Sequence, residues 1–304
     1  MATRHLGQAR ELTVRSADRT RLHVEVRGPE DGPTVVLAHC WATSLASWGP
    51  VVRALDPGLR VVLYDQRGHG RSQTPITRAG YGTDKLADDL CAVLEATLPD
   101  GRRAVVAGHS IGGMTVMAAG PRPAFADRAA AVLLTNTGCT QLVRKSTAFP
   151  LPGALGHLGG QAFLRATLPM GPANPVSAAA LRYLVLGRRA DPRARRLTTR
   201  MVHACEPVAR GRWGAVLASL ELDDPARRIT APTVVVAGAE DRFTPPWHAH
   251  HIASLLPRCE EVREVPGIGH MGPLEAPGVL AELLEKLAAD HLKADPARRA
   301  NRAP

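Results

Sequence analysis

Ser110, Asp241 and His270 have the residue types of a nucleophile, an acid and a base. Ser110 is the centre of Gly108-His109-Ser110-Ile111-Gly112, between an apolar run and a helix-compatible run. A strand that turns at once into a helix strains the residue at the turn, and neighbouring glycines let the two backbone segments pass closely. A serine hydroxyl needs a base to take its proton, and that base needs a third group to fix its tautomer. The pattern therefore predicts nucleophilic chemistry at Ser110.

The strands that must position these residues are short and continuously apolar, which is typical of a parallel sheet covered on both faces. Their expected ranges are 34–39, 59–65, 104–109, 130–136, 232–238 and 262–265, after an antiparallel lead-in at 11–16 and 20–26. Loops that leave parallel strands emerge at one sheet edge, where ligands bind in open α/β folds. Asp241 and His270 follow the last two strands, so we expect both to meet Ser110 at that edge.

Helices are predicted between and after the strands, over 111–119, 246–256 and 273–291. The first of them should end at Gly120-Pro121, a helix-stop signal. Thr83 is the expected N-cap of a further helix. The apolar face of that helix comprises Leu86, Leu90, Val93 and Leu94, and its acidic residues Asp84, Asp88, Asp89 and Glu95 are expected to face away.

The chain is long enough, at 304 residues and 45% hydrophobic content, to bury one large α/β core. Strand patterns are absent from 138 to 228, where helix-forming segments such as 177–186 follow a Pro/Gly-rich start. We predict one core formed by 1–137 and 229–292, with 138–228 inserted as a helical cap. The basic, proline-containing tail 293–304 is expected to be disordered.

The net charge of +10 comes largely from arginine and reflects a composition spread over the whole chain. A local excess lies between residues 182 and 212, where the opposing acids are Asp191 and Glu206. It indicates either a solvated helical face or a site for an acidic substrate or partner. No base-stacking aromatic series accompanies it, so nucleic-acid binding is not expected. The arginines concerned are Arg182, Arg188, Arg189, Arg193, Arg195, Arg196, Arg200, Arg210 and Arg212.

The cysteines, five in number, are scattered and form no C-x-x-C pair, which argues against a disulfide framework or a zinc site. His248, His250 and His251 resemble a metal cluster superficially, and a solvated helix face is the favoured interpretation. The sequence predicts no nucleotide cofactor, because the glycines of 68–72 lack the dinucleotide pattern and no Walker lysine exists.

The N-terminal segment lacks the apolar core of a signal peptide. A long uncharged stretch, 104–121, is interpreted as a buried strand and helix rather than a membrane span. We therefore expect a cytoplasmic protein without a membrane span, and the sequence carries no signal for its oligomeric state.

Further motifs make the chain resemble a known family. They are Ala38-His39-Cys40-Trp41 and Tyr64-Asp65-Gln66-Arg67-Gly68-His69-Gly70-Arg71-Ser72, each after a predicted strand. Together with the serine motif, Asp241 and His270, they are similar to the α/β-hydrolase superfamily, in its esterase, haloperoxidase-like and prolyl-iminopeptidase-like branch. The likeness covers residues 11–291 and the chain order Ser, Asp, His.

The resemblance implies an α/β-hydrolase fold: a mostly parallel central sheet flanked by helices, with a helical cap insertion over a pocket. It implies that Ser110 is the nucleophile, His270 the base and Asp241 the acid. It further implies that the backbone N–H groups of Trp41 and Ile111 form an oxyanion hole.

The sequence departs from the family at Cys40, where a glycine is common. Either Cys40 is a small buried residue that leaves the backbone geometry intact, or the oxyanion hole is altered and hydrolysis is impaired or redirected. Asp65 is an alternative acid, although a structural turn is the preferred role for it. His39, His69 and His109 are expected to be hydrogen-bonded scaffold residues.

We therefore expect a cofactor-free serine hydrolase that cleaves a small carboxylic ester, lactone or related acyl substrate through an acyl-enzyme. Carbon–carbon bond hydrolases, acyltransferases and perhydrolases share the same triad and stay open as alternatives. So does a non-hydrolytic binding protein or biosynthetic cyclase that uses the capped pocket to shape its ligand. Ser110 counts against dehalogenases and the common epoxide hydrolases, which resemble the chain but carry aspartate at that position.

Overall fold

The computed structural model describes residues 7–148 and 153–292, and the predicted tail 293–304 lies outside this range. Its centre is an eight-stranded sheet with the order β1-β2-β4-β3-β5-β6-β7-β8. The strands are β1 (Arg10–Arg15), β2 (Arg21–Arg27), β3 (Thr34–Ala38), β4 (Arg60–Tyr64), β5 (Ala104–His109), β6 (Ala129–Thr135), β7 (Thr233–Gly238) and β8 (Cys259–Val265). β1 and β2 form the antiparallel lead-in, and β3 to β8 pair in parallel. The predicted mostly parallel sheet is confirmed.

The last strand, β8, begins at Cys259, ahead of the expected 262. Polar and charged residues occupy most of its positions, and the strand lies at the sheet edge, where its side chains are half-buried or exposed. A prediction based on apolar runs finds only the end of such a strand.

The helices cover both faces of the sheet and fill the segment between β6 and β7. They are α1 (Gly49–Ala54), α2 (Thr83–Thr97), α3 (Ile111–Ala119), α4 (Pro123–Arg128), α5 (Leu142–Lys145), α6 (Gly153–Arg165), α7 (Pro175–Val185), α8 (Pro192–Ala204), α9 (Pro207–Ala218), α10 (Asp223–Arg227), α11 (Pro246–Leu255), α12 (Gly272–Glu275) and α13 (Pro277–His291), with 3₁₀ turns at Leu45–Trp48 and Arg78–Gly80. The predicted single helix over 273–291 is wrong. Ala276 is non-helical and Pro277 starts a second helix, because proline suits the first turn but not the interior.

Two details of α2 differ from the sequence expectation. Gly82, not Thr83, occupies the N-cap position. Asp89, expected to face away from the core, is fully buried, because its carboxylate accepts hydrogen bonds of 2.7 and 2.6 Å from the guanidinium of Arg67. The apolar face is confirmed, with Leu86, Leu90, Val93 and Leu94 buried.

The core consists of two apolar layers, one on each face of the sheet. Val36 and Val106 point into the layer under α2 and α3, whereas Val35 and Val105 point into the layer under α1 and α13. Because successive side chains of a strand alternate between faces, a strand covered on both sides must be apolar at every position. This explains the continuous apolar runs of the sequence.

The predicted helical insertion is present as α6 to α10, between β6 and β7. Its two ends lie side by side: Leu222 N–H donates to Cys139 O at 2.8 Å, and Thr140 pairs with Glu221 in a β-bridge. The insertion therefore leaves and re-enters the core at one place. Among the described residues, no helix has both the length and the apolar character needed to cross a bilayer.

Candidate active site

Ser110 lies at the turn between β5 and α3, with φ 55° and ψ −117°. A positive φ is uncommon and strained for a residue with a side chain, and such strain is concentrated at functional sites. A side-chain carbon at Gly108 would collide with the backbone of Gly112, and one at Gly112 with the backbone of Ala38. Only glycine therefore fits at positions 108 and 112, and these two glycines allow the tight turn that carries Ser110.

His270 brings its imidazole to Ser110 from the loop after β8. Its Nε2 lies 2.9 Å from Ser110 Oγ, and its Nδ1 lies 2.8 Å from Oδ2 of Asp241. All three side chains are buried, with 6% exposure for Ser110, 4% for His270 and 3% for Asp241. With Nδ1 donating to the carboxylate, Nε2 is left to accept the serine proton. The three predicted residues thus form one chain of hydrogen bonds.

The loop that carries His270 is fixed on both sides. Glu275 of α12 accepts hydrogen bonds from the backbone N–H groups of Gly269 and Met271. The backbone N–H of His270 donates to Val185 O at 2.9 Å, so the helical insertion also holds this loop. Little side-chain reorganisation is needed to keep the imidazole on the serine.

Asp241 is the most heavily hydrogen-bonded member of the group. Oδ1 accepts the backbone N–H groups of Phe243 and Thr244 at 2.9 Å each, and Oδ2 accepts the hydroxyl of Thr244 at 2.8 Å. Asn136 adds a hydrogen bond of 3.1 Å from Nδ2 to Oδ2. Sequence reasoning missed Asn136 and Thr244. The available signal for Asn136 was the polar run Thr135-Asn136-Thr137 at the end of an apolar strand, on the edge where the site was expected.

Burial and charge act in opposite directions on the two ionisable groups. Burial by itself lowers the pKa of His270, but the carboxylate of Asp241 outweighs it, and the pKa of His270 is raised above its ordinary value. Burial by itself raises the pKa of Asp241, yet the charge of His270 and the surrounding hydrogen bonds leave this pKa below its ordinary value. The pair therefore favours an ionised carboxylate beside a basic imidazole.

The backbone N–H groups of Trp41 and Ile111 are the predicted oxyanion hole. Neither of them donates to an acceptor among the described residues. The close approach of Gly112 to the backbone of Ala38 and His39 places the first turn of α3 beside the loop that carries Trp41. Ile111 begins the helix, so its N–H has no intrahelical partner. Both groups are thus available to a bound oxyanion.

Cys40 is buried, and its Sγ lies 3.9 Å from Nε2 of His270. Hydrogen bonds fix the backbone of the loop after β3 even though position 40 is not glycine. Cys40 O accepts them from Nδ1 of His39 and from Oγ1 of Thr43, each at 2.7 Å. The described non-glycine residues with positive φ do not include Cys40, so its side chain causes no backbone strain. These contacts favour the interpretation in which a small residue leaves the backbone geometry intact.

The structure does not bring Asp65 into contact with His270. Its carboxylate accepts the backbone N–H groups of Leu45 and Arg71 at 2.8 and 2.9 Å, which are the bonds of a structural turn. The pKa of Asp65 is raised by burial. This arrangement agrees with the preferred interpretation of Asp65 and leaves Asp241 as the acid beside His270.

The histidines close to the site are bonded to the scaffold. His39 Nε2 accepts from Gln66 N–H at 3.0 Å, His69 Nε2 accepts from Ala42 N–H at 3.2 Å, and His109 Nε2 lies 2.7 Å from His270 O. Burial lowers the pKa of His39 to about 4. For His69 and His109, burial and the charge of a neighbouring histidine together lower the pKa to about 3. All three are therefore neutral at pH 7.

Of the helix α11 histidines, His250 is exposed as expected, His251 is half-buried, and His248 differs from the expectation. His248 is fully buried rather than solvated, because its ring packs against Gly138. The fold also brings Cys139 and Asp223 to His251, with donor atoms within 4.8 Å of one another, although no such ligands lie near it in sequence. Among the described residues this group and two others, Cys40 with His109 and His270, and Glu11 with His23 and Glu25, have the spacing to hold a metal ion.

A cavity of about 210 Å³ lies over Ser110 and His270. The helical insertion supplies much of its wall, through Phe163 of α6, Leu184 of α7 and Leu217 of α9. Most of the lining side chains are apolar. Cavities lined in this way suit the apolar part of a small molecule, and this one lies next to the serine.

The family described as alpha/beta hydrolase fold matches residues 33–277. The chain belongs to the α/β-hydrolase family. A Variovorax paradoxus protein named "Putative carbamate hydrolase RutD" is 33% identical to this α/β-hydrolase family member over 232 residues, which are 74% of this chain and 80% of that protein. The non-heme chloroperoxidase of Burkholderia pyrrocinia is 29% identical over 271 residues, or 84% of this chain and 92% of that protein. A thermophilic esterase from Thermogutta terrifontis has the same fold, with a TM-score of 0.75 at 21% identity over 92% of this chain and 100% of that chain.

Proposed function

We propose that the protein is a cofactor-free serine hydrolase that cleaves a carboxylic ester, lactone or related acyl substrate through an acyl-enzyme. The observation that carries this proposal is the hydrogen-bonded chain from Ser110 Oγ to His270 Nε2 at 2.9 Å and from His270 Nδ1 to Asp241 Oδ2 at 2.8 Å. A nucleophile, a base and an orienting acid in this geometry are what acyl transfer to serine requires.

In the proposed mechanism Ser110 Oγ attacks the substrate carbonyl carbon, and His270 Nε2 takes the hydroxyl proton. The N–H groups of Trp41 and Ile111 stabilise the negative charge that develops on the carbonyl oxygen. The tetrahedral intermediate then expels the leaving alcohol, which receives the proton from His270. A water molecule, deprotonated by His270, attacks the acyl-enzyme in the same way and releases the acid and free Ser110.

Asp241 stabilises the imidazolium that forms in each half-reaction and keeps Nδ1 protonated. The hydrogen bonds from Thr244 and Asn136 support its ionised form. The name of the Variovorax relative, a carbamate hydrolase, is compatible with this chemistry, because a carbamate is also cleaved at an acyl carbonyl. The apolar cavity supports a substrate with an apolar acyl or alkyl part.

We further propose that residues 138–228 act as a cap over the substrate, on a core formed by 1–137 and 229–292. Val185 O, within this segment, accepts the N–H of His270, so the cap and the catalytic loop are in direct contact. A cytoplasmic location stays a prediction from the sequence.

A fluorophosphonate probe tests the proposal, since it phosphonylates only an activated serine. We expect mass spectrometry to find the label on Ser110 and 4-nitrophenyl esters to be hydrolysed. Ser110→Ala should abolish labelling and lower turnover on the order of 10³-fold or more. Ser146→Ala is the matched control, because Ser146 also lines the cavity but donates its hydroxyl to Arg242 O at 2.9 Å. Wild-type turnover by Ser110→Ala, or a label at another residue, would contradict the assignment.

A further inference from the structure

Arg210 of α9 is a buried arginine in the wall of the apolar cavity, with 6% of its surface exposed. Among the described residues, the cavity lining has three ionisable side chains, which are Arg210, His270 and the thiol of Cys40. The other arginines of the local excess between 182 and 212 are exposed or half-buried. The cluster found in the sequence therefore separates into a solvated face and one buried arginine in the cavity wall.

The contacts of Arg210 leave part of its guanidinium without a partner. Nη2 donates to Leu168 O at 2.5 Å, and the backbone carbonyl of Arg210 accepts Nε1–H of Trp41 at 3.0 Å. Among the described residues, Nε and Nη1 have no hydrogen-bond acceptor, and neither atom is sealed off from open space. Since the side chain lines the cavity, these N–H groups are available to a molecule inside it.

No carboxylate among the described residues neutralises this charge. The nearest acid in the sequence, Glu206, uses its two oxygens to cap α9, accepting the N–H groups of Val208 and Ala209. The contrast with Arg67 is informative: that buried guanidinium is paired with both Asp89 and Asp18. An isolated charge in an apolar wall is costly to bury, so an unpaired buried arginine favours an anionic ligand.

We propose that Arg210 binds a carboxylate of the substrate, so that the preferred substrates are esters or lactones with an apolar body and one carboxylate group. The inference rests on the proposed hydrolase function and specifies its substrate class. Nη2 carries a second N–H besides the one bonded to Leu168 O, and on the edge that Leu168 leaves free it pairs with an N–H of Nε or Nη1 to match the two oxygens of a carboxylate. The apolar surroundings strengthen the attraction. Trp41 links Arg210 to the catalytic centre: its backbone N–H belongs to the proposed oxyanion hole, and its indole N–H donates to Arg210 O.

The kinetic test uses two matched ester series. One comprises mono-4-nitrophenyl esters of linear dicarboxylic acids, and the other comprises 4-nitrophenyl esters of monocarboxylic acids of equal chain length. We expect the wild type to prefer at least one charged ester over its neutral match by roughly tenfold or more, in kcat/KM. Arg210→Met should lower kcat/KM for that charged ester roughly 10- to 100-fold, as expected for a lost hydrogen bond to a charged group. The neutral series should change by less than about threefold, and Arg210→Lys should retain part of the preference.

Arg212→Met is the matched control, because Arg212 lies on the same helix, donates to Ile76 O and does not line the cavity. Its selectivity should equal that of the wild type. A purely structural role for Arg210, through Leu168 O, would lower activity on both series together and lower the melting temperature of Arg210→Met. That result, or a wild type without preference for any charged ester, would overturn the proposal.

A binding experiment separates this proposal from the hydrolase function itself. Ser110→Ala, which cannot form an acyl-enzyme, is titrated with octanoate and with octan-1-ol while the melting temperature is followed. We expect octanoate to stabilise the protein more than octan-1-ol does, and the difference to disappear in the Ser110→Ala/Arg210→Met double variant. Equal shifts for both probes would reject the carboxylate site. Absence of ester turnover in the wild type, with octanoate still selected, would reject the hydrolase function alone.

Discussion

Asn136 donates a hydrogen bond of 3.1 Å from Nδ2 to Oδ2 of Asp241, the oxygen that also receives Nδ1–H of His270. The same Nδ2 lies 2.9 Å from Gly269 O, in the loop that carries His270. Asn136 has φ 48°, a left-handed conformation that asparagine tolerates better than most residues. One side chain at the end of β6 therefore connects the acid to the loop of the base, and we assign it as a positioning residue.

Asn136→Ala should lower kcat roughly tenfold while KM changes little. The reason is that the variant removes a hydrogen bond to a charged carboxylate, worth about 1.5–3 kcal/mol, without touching the cavity. Steady-state kinetics with a 4-nitrophenyl ester measure both constants. Asn174→Ala, at the exposed N-cap of α7, is the control and should leave kcat unchanged. A change confined to KM would argue against a positioning role for Asn136.

Asp241→Asn should lower kcat on the order of 10⁴-fold, because an amide neither fixes the tautomer of His270 nor stabilises its positive charge. It should also move the acid limb of the pH profile. Activity requires neutral His270, and Asp241 raises the pKa of His270, so the wild-type limb lies above the ordinary histidine value of about 6.5. Without the carboxylate, burial dominates and lowers that pKa, so residual activity should persist to lower pH.

Asp65→Asn is the control that shows which of the two candidate acids, Asp65 or Asp241, acts on His270. In the wild type, the carboxylate of Asp65 accepts the backbone N–H groups of Leu45 and Arg71 and makes no contact with His270. We expect lower stability but a pH profile of kcat/KM like that of the wild type. A shifted acid limb in Asp65→Asn, with none in Asp241→Asn, would exchange the roles of the two residues.

The parts predictable from sequence are those where a local pattern decides the structure. The strand over 104–109, the turn at Ser110 and the helix over 111–119 were predictable because apolar runs and glycines act within a few residues. Buried polar contacts are different in kind. The pairing of Asp89 with Arg67 and the contact of Asn136 with Asp241 join positions far apart in the chain, and each partner alone resembles a surface residue. The burial of His248 against Gly138 has the same origin.

Cys40 allows a direct test of its two interpretations. If a small residue simply fills the space, Cys40→Gly and Cys40→Ala should keep kcat within about threefold of the wild type. If the cysteine alters the oxyanion hole, Cys40→Gly should raise kcat by tenfold or more. The contacts from His39 and Thr43 to Cys40 O favour the first result, because they hold the loop independently of the side chain. Ester hydrolysis kinetics, with Cys91→Ala as a control outside the cavity lining, measure the difference.

Arg67→Met should be strongly destabilising, by about 3–5 kcal/mol, because it leaves the buried carboxylate of Asp89 without its partner. Arg71→Met is the matched control: Arg71 pairs with Glu11 at the surface, with both side chains more than half exposed, and its loss should change the free energy of unfolding far less. Urea unfolding gives both free energies. The double variant Arg67→Met/Asp89→Leu should recover part of the loss, since it removes the orphaned charge as well. Equal losses in Arg67→Met and Arg71→Met would show that the Arg67–Asp89 pair does not stabilise the loop between β4 and α2.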